Sequence, residues 1–124
     1  MISNQPQAVN WFEIPVTNMQ ESVALYSAPL DLKIEVTDFG GIPHALIGGG
    51  GALVADPRRP PQRGSGTVLY FNAGDGVKRA LARAVEAGAK VIQPFTAIDP
   101  HGAIALIEDF DGNTFGLHEN PPKS

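Results

Sequence analysis

The sequence has no cysteine among its 124 residues. Disulfides, thiol nucleophiles and thiolate metal sites are therefore excluded. Basic residues are also in short supply: 9 Lys and Arg face 13 Asp and Glu, for a formal net charge of −4. That balance leaves no basic excess to bind a nucleic-acid backbone. No apolar run approaches the roughly 20 residues needed to span a bilayer. The start, Met1-Ile2-Ser3-Asn4-Gln5-Pro6-Gln7, lacks the basic-then-apolar order of a secretory signal. Apolar content of 43% and charged content of 18% are globular values. The expectation is a soluble, cytoplasmic protein with neither nucleic-acid nor membrane partners. Its length suits one domain, or two small halves sharing a core.

What is present is a repeated order of elements. Val9 to Val16 alternates as a strand, with Phe12, Ile14 and Val16 on one face and Trp11, Glu13 and Pro15 on the other. A helix follows, capped by Asn18 with Glu21 three residues on. Met19, Val23, Tyr26 and Leu30 form its apolar stripe, and Pro29 marks its end. Three short strands are predicted next, at Lys33–Thr37, Pro43–Ile47 and Ala52–Ala55. Gly48-Gly49-Gly50-Gly51 lacks a following Gly-Lys-Ser/Thr, so it reads as a hairpin turn rather than a phosphate loop. Asp56 to Gly66, rich in proline and arginine, reads as a linker. Arg58, Arg59 and Arg63 there are a grip for an anion or, more simply, a solvated connector.

Past the linker the pattern restarts. Thr67 to Ala73 is a strand, with Leu69 and Phe71 on one face and Tyr70 and Asn72 on the other. Asp75 caps a second helix whose stripe is Val77, Leu81, Ala84 and Val85; Lys78, Arg79, Arg83 and Glu86 form its wet face. Gly88 stops it. Lys90–Gln93 is a strand, and a loop runs from Pro94 to Gly102. Ala103–Ile107 and Thr114–Glu119 then close a hairpin around Asp109-Phe110-Asp111-Gly112-Asn113, where both aspartates are turn formers.

A constant offset places Asn18 on Asp75, Lys33-Ile34 on Lys90-Val91, and Trp11, Glu13 and Pro15 on Val68, Tyr70 and Asn72. The chain therefore reads as a duplicated β-α-β-β-β unit. One helix per four strands covers only one face of each sheet. The other faces carry Trp11/Glu13, Tyr70/Asn72 and Gly116/His118. If the sheets curl, those residues line a shared cup.

Trp11-Phe12-Glu13-Ile14-Pro15-Val16-Thr17-Asn18, Leu69-Tyr70-Phe71-Asn72, Glu86-Ala87-Gly88-Ala89-Lys90-Val91 and Asp109-Phe110-Asp111-Gly112-Asn113…Gly116-Leu117-His118 resemble the vicinal oxygen chelate superfamily. That group includes glyoxalase I, extradiol dioxygenases, fosfomycin-resistance enzymes and bleomycin-resistance proteins. The likeness covers about residues 8–120 and is nearest to small proteins related to lactoylglutathione lyase. It implies an α+β fold: two βαβββ modules with curved mixed sheets forming a cup, helices on the outer face. Module 1 would span about residues 9–55, the linker 56–66 and module 2 about 67–119, making one domain.

The superfamily's catalytic branches hold a divalent metal on strand His and Glu residues. The matching positions here are Trp11, Ala52 or Val54, Val68 and Gly116, none of which is a usual ligand. The expectation is therefore no metal and no cofactor. The polar residues left in the cup are Glu13 and His118 as bases and Tyr70 as acid or oxyanion donor, with Asn72 orienting a carbonyl and Trp11 as an apolar wall. Glu13 and His118 are expected to approach each other or to reach a common ligand. His44 and His101 are expected to be structural or exposed. The resulting reading is a metal-independent lyase or isomerase. A binding protein of the drug-resistance type is the alternative, and a metalloenzyme using Glu13 and His118 the third. Unpaired sheet edges imply a homodimer.

Overall fold

Alternating apolar residues become strands, and one amphipathic segment per half becomes a helix. The structure, a computed structural model, describes residues 11–63 and 68–122. The elements run β1 (Phe12–Pro15), α1 (Met19–Leu30), β2 (Glu35–Phe39), β3 (Ile42–Ile47), β4 (Gly51–Val54), β5 (Tyr70–Asn72), α2 (Val77–Glu86), β6 (Lys90–Ala97), β7 (Ala103–Glu108) and β8 (Thr114–Glu119). They form two four-stranded mixed sheets, ordered β1-β4-β3-β2 and β5-β8-β7-β6. β1 pairs parallel with β4, and β5 with β8. The other pairings are antiparallel. This is the expected α+β arrangement of two βαβββ units. The first residues of the Val9–Val16 and Thr67–Ala73 strands, and the end of the linker, lie outside the described residues.

The two units share one core. Ile14, Leu25, Tyr26 and Leu53 from the first half join Ala84, Ile107, Phe115 and Leu117 from the second. An aromatic cluster crosses between them. Tyr26 stacks on Phe115 at 4.4 Å, and Phe71 meets Phe12, Tyr26 and Phe115 edge-on. Such pairs add about 0.5–1.5 kcal/mol each beyond the area they bury.

The helices depart from expectation at their ends. Asn18 caps α1 as predicted, accepting from the Glu21 N–H at 2.9 Å. The helix nevertheless runs through Pro29 to Leu30. Its last carbonyls find a partner in the other half: Arg83 donates Nε to Ala28 O at 2.8 Å and Nη2 to Pro29 O at 3.0 Å. A cation at a helix C-terminus also suits the helix dipole. Arg83 is thus a tertiary cap, not part of a wet face. Asp75 does not cap α2; it pairs with Arg83 at 2.8 Å. Glu119 at the end of β8 takes the capping role, accepting from the Val77 N–H at 2.7 Å. The buried line of α2 is Val77, Ala80 and Ala84, with Val85 exposed, because small alanines let α2 pack closely on α1. In α1 the most buried positions are Ser22, Leu25, Tyr26 and Pro29, and the predicted Met19, Val23 and Leu30 flank them.

β6 extends past the predicted Gln93 to Ala97. Register shifts on either side of Gln93 carry the edge strand through Pro94, which has no N–H to pair. Asp109 is more than a turn former. Its buried carboxylate accepts from Tyr26 Oη at 2.8 Å, from the N–H groups of Asp111 and Asn113, and from Asn113 Nδ2. Asn113 Nδ2 also donates to Pro15 O at 2.8 Å, tying the closing hairpin to β1.

Candidate functional site

Strand register decides which side chains lie opposite the helices. In the first sheet Glu13 stands beside Ala52 and Leu46, and Val54 beside His44. In the second, Tyr70 stands beside Gly116 and Leu106, and Asn72 beside His118 and Ile104.

Glu13 is the centre of the first group. Its carboxylate accepts from Trp11 Nε1 at 3.2 Å, pairs with Arg59 Nη1 at 2.9 Å and lies 3.7 Å from His44 Nε2. The Trp11 hydrogen bond does most to hold its pKa below the ordinary 4.5; burial opposes this, and Arg59 and then His44 reinforce it. Glu13 is therefore ionised at neutral pH. His44 is oriented from behind, with Nδ1 2.9 Å from Ile42 O and its ring edge-on to Phe39. A carbonyl only accepts, so Nδ1 carries the hydrogen and, in the neutral ring, Nε2 presents its lone pair on the Glu13 side.

Arg59 reaches Glu13 because the chain after β4 folds back. The buried Asp56 carboxylate accepts from Arg58 N, Nε and Nη2 at 2.9–3.1 Å, and the Arg59 N–H donates to Asp56 O at 2.9 Å. These contacts turn the linker over the sheet. Arg58 lowers the Asp56 pKa to about 2, chiefly through its side-chain hydrogen bond. Two cavities meet at Glu13. One, of about 530 Å³, is lined by Phe12, Ile14, Leu69, Thr114 and Phe115 among others; the second, of about 200 Å³, by Val54 and Arg59. Glu13, Pro15 and Pro60 border both.

The second group is more open. Tyr70 is 51% exposed, and its ring fills the space where a Cβ on Gly116 would stand. His118 Nε2 lies 2.8 Å from His101 O, so Nε2 carries the hydrogen and Nδ1 is left as acceptor.

The structure thus brings Trp11 and Glu13 together, and Tyr70, Asn72 and His118 together. Glu13 and His118 make no hydrogen bond or ion pair with each other. The imidazole beside Glu13 is that of His44, placed in β3 rather than in a turn. Its strand position was the available signal: Ala45 and Ile47 face the core, so His44 faces the other way. For Arg59 the signal was weaker, an Asp-Pro-Arg-Arg turn after a strand.

A metal of the kind implied by the resemblance does not fit the matching positions. Trp11 offers an indole N–H, Ala52, Val54 and Val68 offer alkyl groups, and the space at Gly116 is filled by Tyr70. Among the described residues no three His, Asp or Glu side chains converge as a metal site.

Two βαβββ units around one core define a class of α+β scaffold, here with Glu13, His44, Tyr70, Asn72 and His118 in the strand rows opposite the core. The profile of the Glyoxalase/Bleomycin resistance protein/Dioxygenase superfamily matches residues 8–117, and the chain belongs to that superfamily. Among solved structures, a glyoxalase/bleomycin resistance protein from Albidiferax ferrireducens T118 superposes with a TM-score of 0.75 at 18% identity, covering 93% of this chain and 100% of that one. One from Streptomyces sp. CB03234 gives 0.60 at 27% identity, covering 90% and 99%. A genomically encoded fosfomycin resistance protein from Listeria monocytogenes gives 0.67 at 18% identity, covering 97% and 95%. Such likenesses show the fold and leave the reaction to be argued from the site. No curated protein matches the sequence.

Proposed function

We propose that the chain takes a small organic molecule at the Glu13 cleft and moves a proton on it, as a lyase or isomerase acting beside a carbonyl, without a divalent metal or other cofactor. The observation that carries this reading is the setting of Glu13. It is an ionised carboxylate where two cavities meet, aligned by Trp11, Arg59 and His44. In this reading Glu13 accepts the proton and Trp11 supplies a wall. Tyr70, Asn72 and His118 Nδ1 act from the second sheet on a ligand that reaches across, as acid, carbonyl anchor and second base. Unpaired sheet edges support a homodimer. The acidic, cysteine-free composition supports a cytoplasmic setting. Among the described residues no helix is long and apolar enough to cross a membrane.

The drug-sequestering alternative has one observation in its favour: three partners lower the basicity of Glu13. A single experiment separates the two. A panel of hydroxy- and keto-carbonyl compounds is incubated with protein in D2O and followed by NMR. Proton-transfer chemistry predicts deuterium incorporation beside the carbonyl of at least one compound, falling about 100-fold or more in Glu13→Gln. Thermal stabilisation by a compound without any exchange would favour sequestration.

A further inference from the structure

We infer that Phe12 is the specificity-determining residue of the Glu13 cleft: its ring closes the inner end of the ligand cavity and restricts the substrate to one with a compact apolar body. This rests on the reading that the cleft takes a small molecule, and it names which molecules fit.

Two compartments take walls from both halves of the chain, and among the described residues Phe12 is the one that borders both. The first is the cavity of about 530 Å³ at Glu13, with Ile14, Leu69 and Phe115 in its wall. The second, of about 410 Å³, is lined by Leu30, Leu32, Ile47 and Phe71 among others. It meets solvent at Leu32, which is 44% exposed.

Phe12 spans the gap between the sheets. It belongs to β1, an edge strand of the first sheet, and Phe71 to β5, an edge strand of the second. The Phe12 ring lies over Gly51 of β4 on one side and meets Phe71 edge-on at 5.7 Å on the other. It is a bar from sheet to sheet, with one compartment on each side. Swinging it aside would break its contact with Phe71, which joins it to the Tyr26 and Phe115 rings of the core.

The glycine run at the start of β4 supplies the seat for this ring. Phe12 and Gly51 are register partners, and a Cβ on Gly51 would stand 2.5 Å from three atoms of the ring. The backbone of Gly51 is not left-handed, so its conformation does not demand glycine. Glycine weakens a strand, and room for a close neighbour is the usual compensation. Each methylene buried strengthens binding about fourfold. An alkyl chain lengthened from a carbonyl at Glu13 therefore gains affinity until it meets the ring, and gains nothing beyond it.

The test is a 13C-methyl NMR titration with straight-chain 2-ketones, from 2-butanone to 2-nonanone, on wild type, Phe12→Ala and Phe12→Leu. In wild type, affinity should climb about fourfold per methylene and then level off. Shifts should appear at the Ile14 and Leu69 methyls and not at those of Leu30 and Ile47. In Phe12→Ala the climb should pass the wild-type plateau by about tenfold or more, and the longer ketones should shift Leu30 and Ile47 as well. Phe12→Leu keeps an apolar core side chain without the ring and should move the plateau in the same direction. If Phe12→Ala loses its signal dispersion, Phe12→Leu carries the comparison. Shifts at Leu30 and Ile47 already present in wild type, or a plateau at the same chain length in the folded variants, overturn the role of Phe12 and leave the cleft. If no ketone shifts Ile14 or Leu69 in any of the three proteins, the cleft reading fails and the role of Phe12 with it.

Discussion

Asp56 shows how a single side chain places the site. Its carboxylate is buried, collects three donors from Arg58, and so turns the chain to deliver Arg59 over Glu13. Its pKa falls from 3.8 unfolded to about 2 folded. The sign follows from linkage: ionised Asp56 stabilises the fold fully above the unfolded pKa, and that stability is lost as pH falls from about 4 to about 2. Thermal melts should therefore show Asp56→Asn less stable than wild type at neutral pH, with the gap closing below pH 4 and gone near pH 2. A gap that stays constant to pH 2 would show that the carboxylate's charge plays no part. At this scale much of the site was legible. Trp11 and Glu13 fall together through strand parity alone. Arg59 and His44 were not, because a linker arginine is usually solvated and a histidine's facing depends on which strands pair. Glu13 and His118 take other partners, His44 and the His101 carbonyl, for a related reason. Parity fixes the face of each strand but not the distance between two sheets.

Elements are tied to one another by polar contacts of long sequence separation, and these are what local patterns miss. The stops of α1 and the start of α2 depend on Arg83 and Glu119, each from a distant segment. Strand and helix order was readable because periodicity is local. The Tyr26–Asp109 bond is the strongest case, since it locks α1 to the closing hairpin inside the core. Burial first, and the Asp109 charge second, raise the Tyr26 pKa well above 10. Neutral Tyr26 thus stabilises the fold below pH 10, and this stability is lost as pH rises towards the folded pKa. Tyr26→Phe should cost about 1 kcal/mol at neutral pH, since Asp109 keeps its other donors. It should also remove the extra alkaline destabilisation above pH 10. Asp109→Ala should cost more, about 3 kcal/mol or above, because it strands a buried hydroxyl and undoes the hairpin. Urea unfolding of the three proteins between pH 7 and pH 11 measures both effects. Equal losses for the two variants would mean that the hairpin does not depend on the carboxylate.

For the molecule as a whole, two sheets are joined through one aromatic core, each with its far edge bare. β2 is exposed along its whole length, with Val36 and Phe39 each more than half exposed. β6 exposes Val91, Ile92 and Phe95. Bare strand edges with apolar side chains are templates for pairing unless they are blunted. Glu35 and Asp38 blunt β2 partly, and the register shifts around Gln93 distort β6. Neither device covers the apolar groups. The expected outcome is a homodimer in solution: light scattering at micromolar concentration should give twice the chain mass. Two variants locate the contact. Val36→Lys places a charge on the β2 edge and Val91→Lys on the β6 edge, and each should leave the monomer folded because both positions are exposed. The variant whose mass falls to that of one chain marks the pairing edge. A wild-type mass of one chain would remove the dimer altogether, and the cleft at Glu13 would then have to be completed within a single molecule.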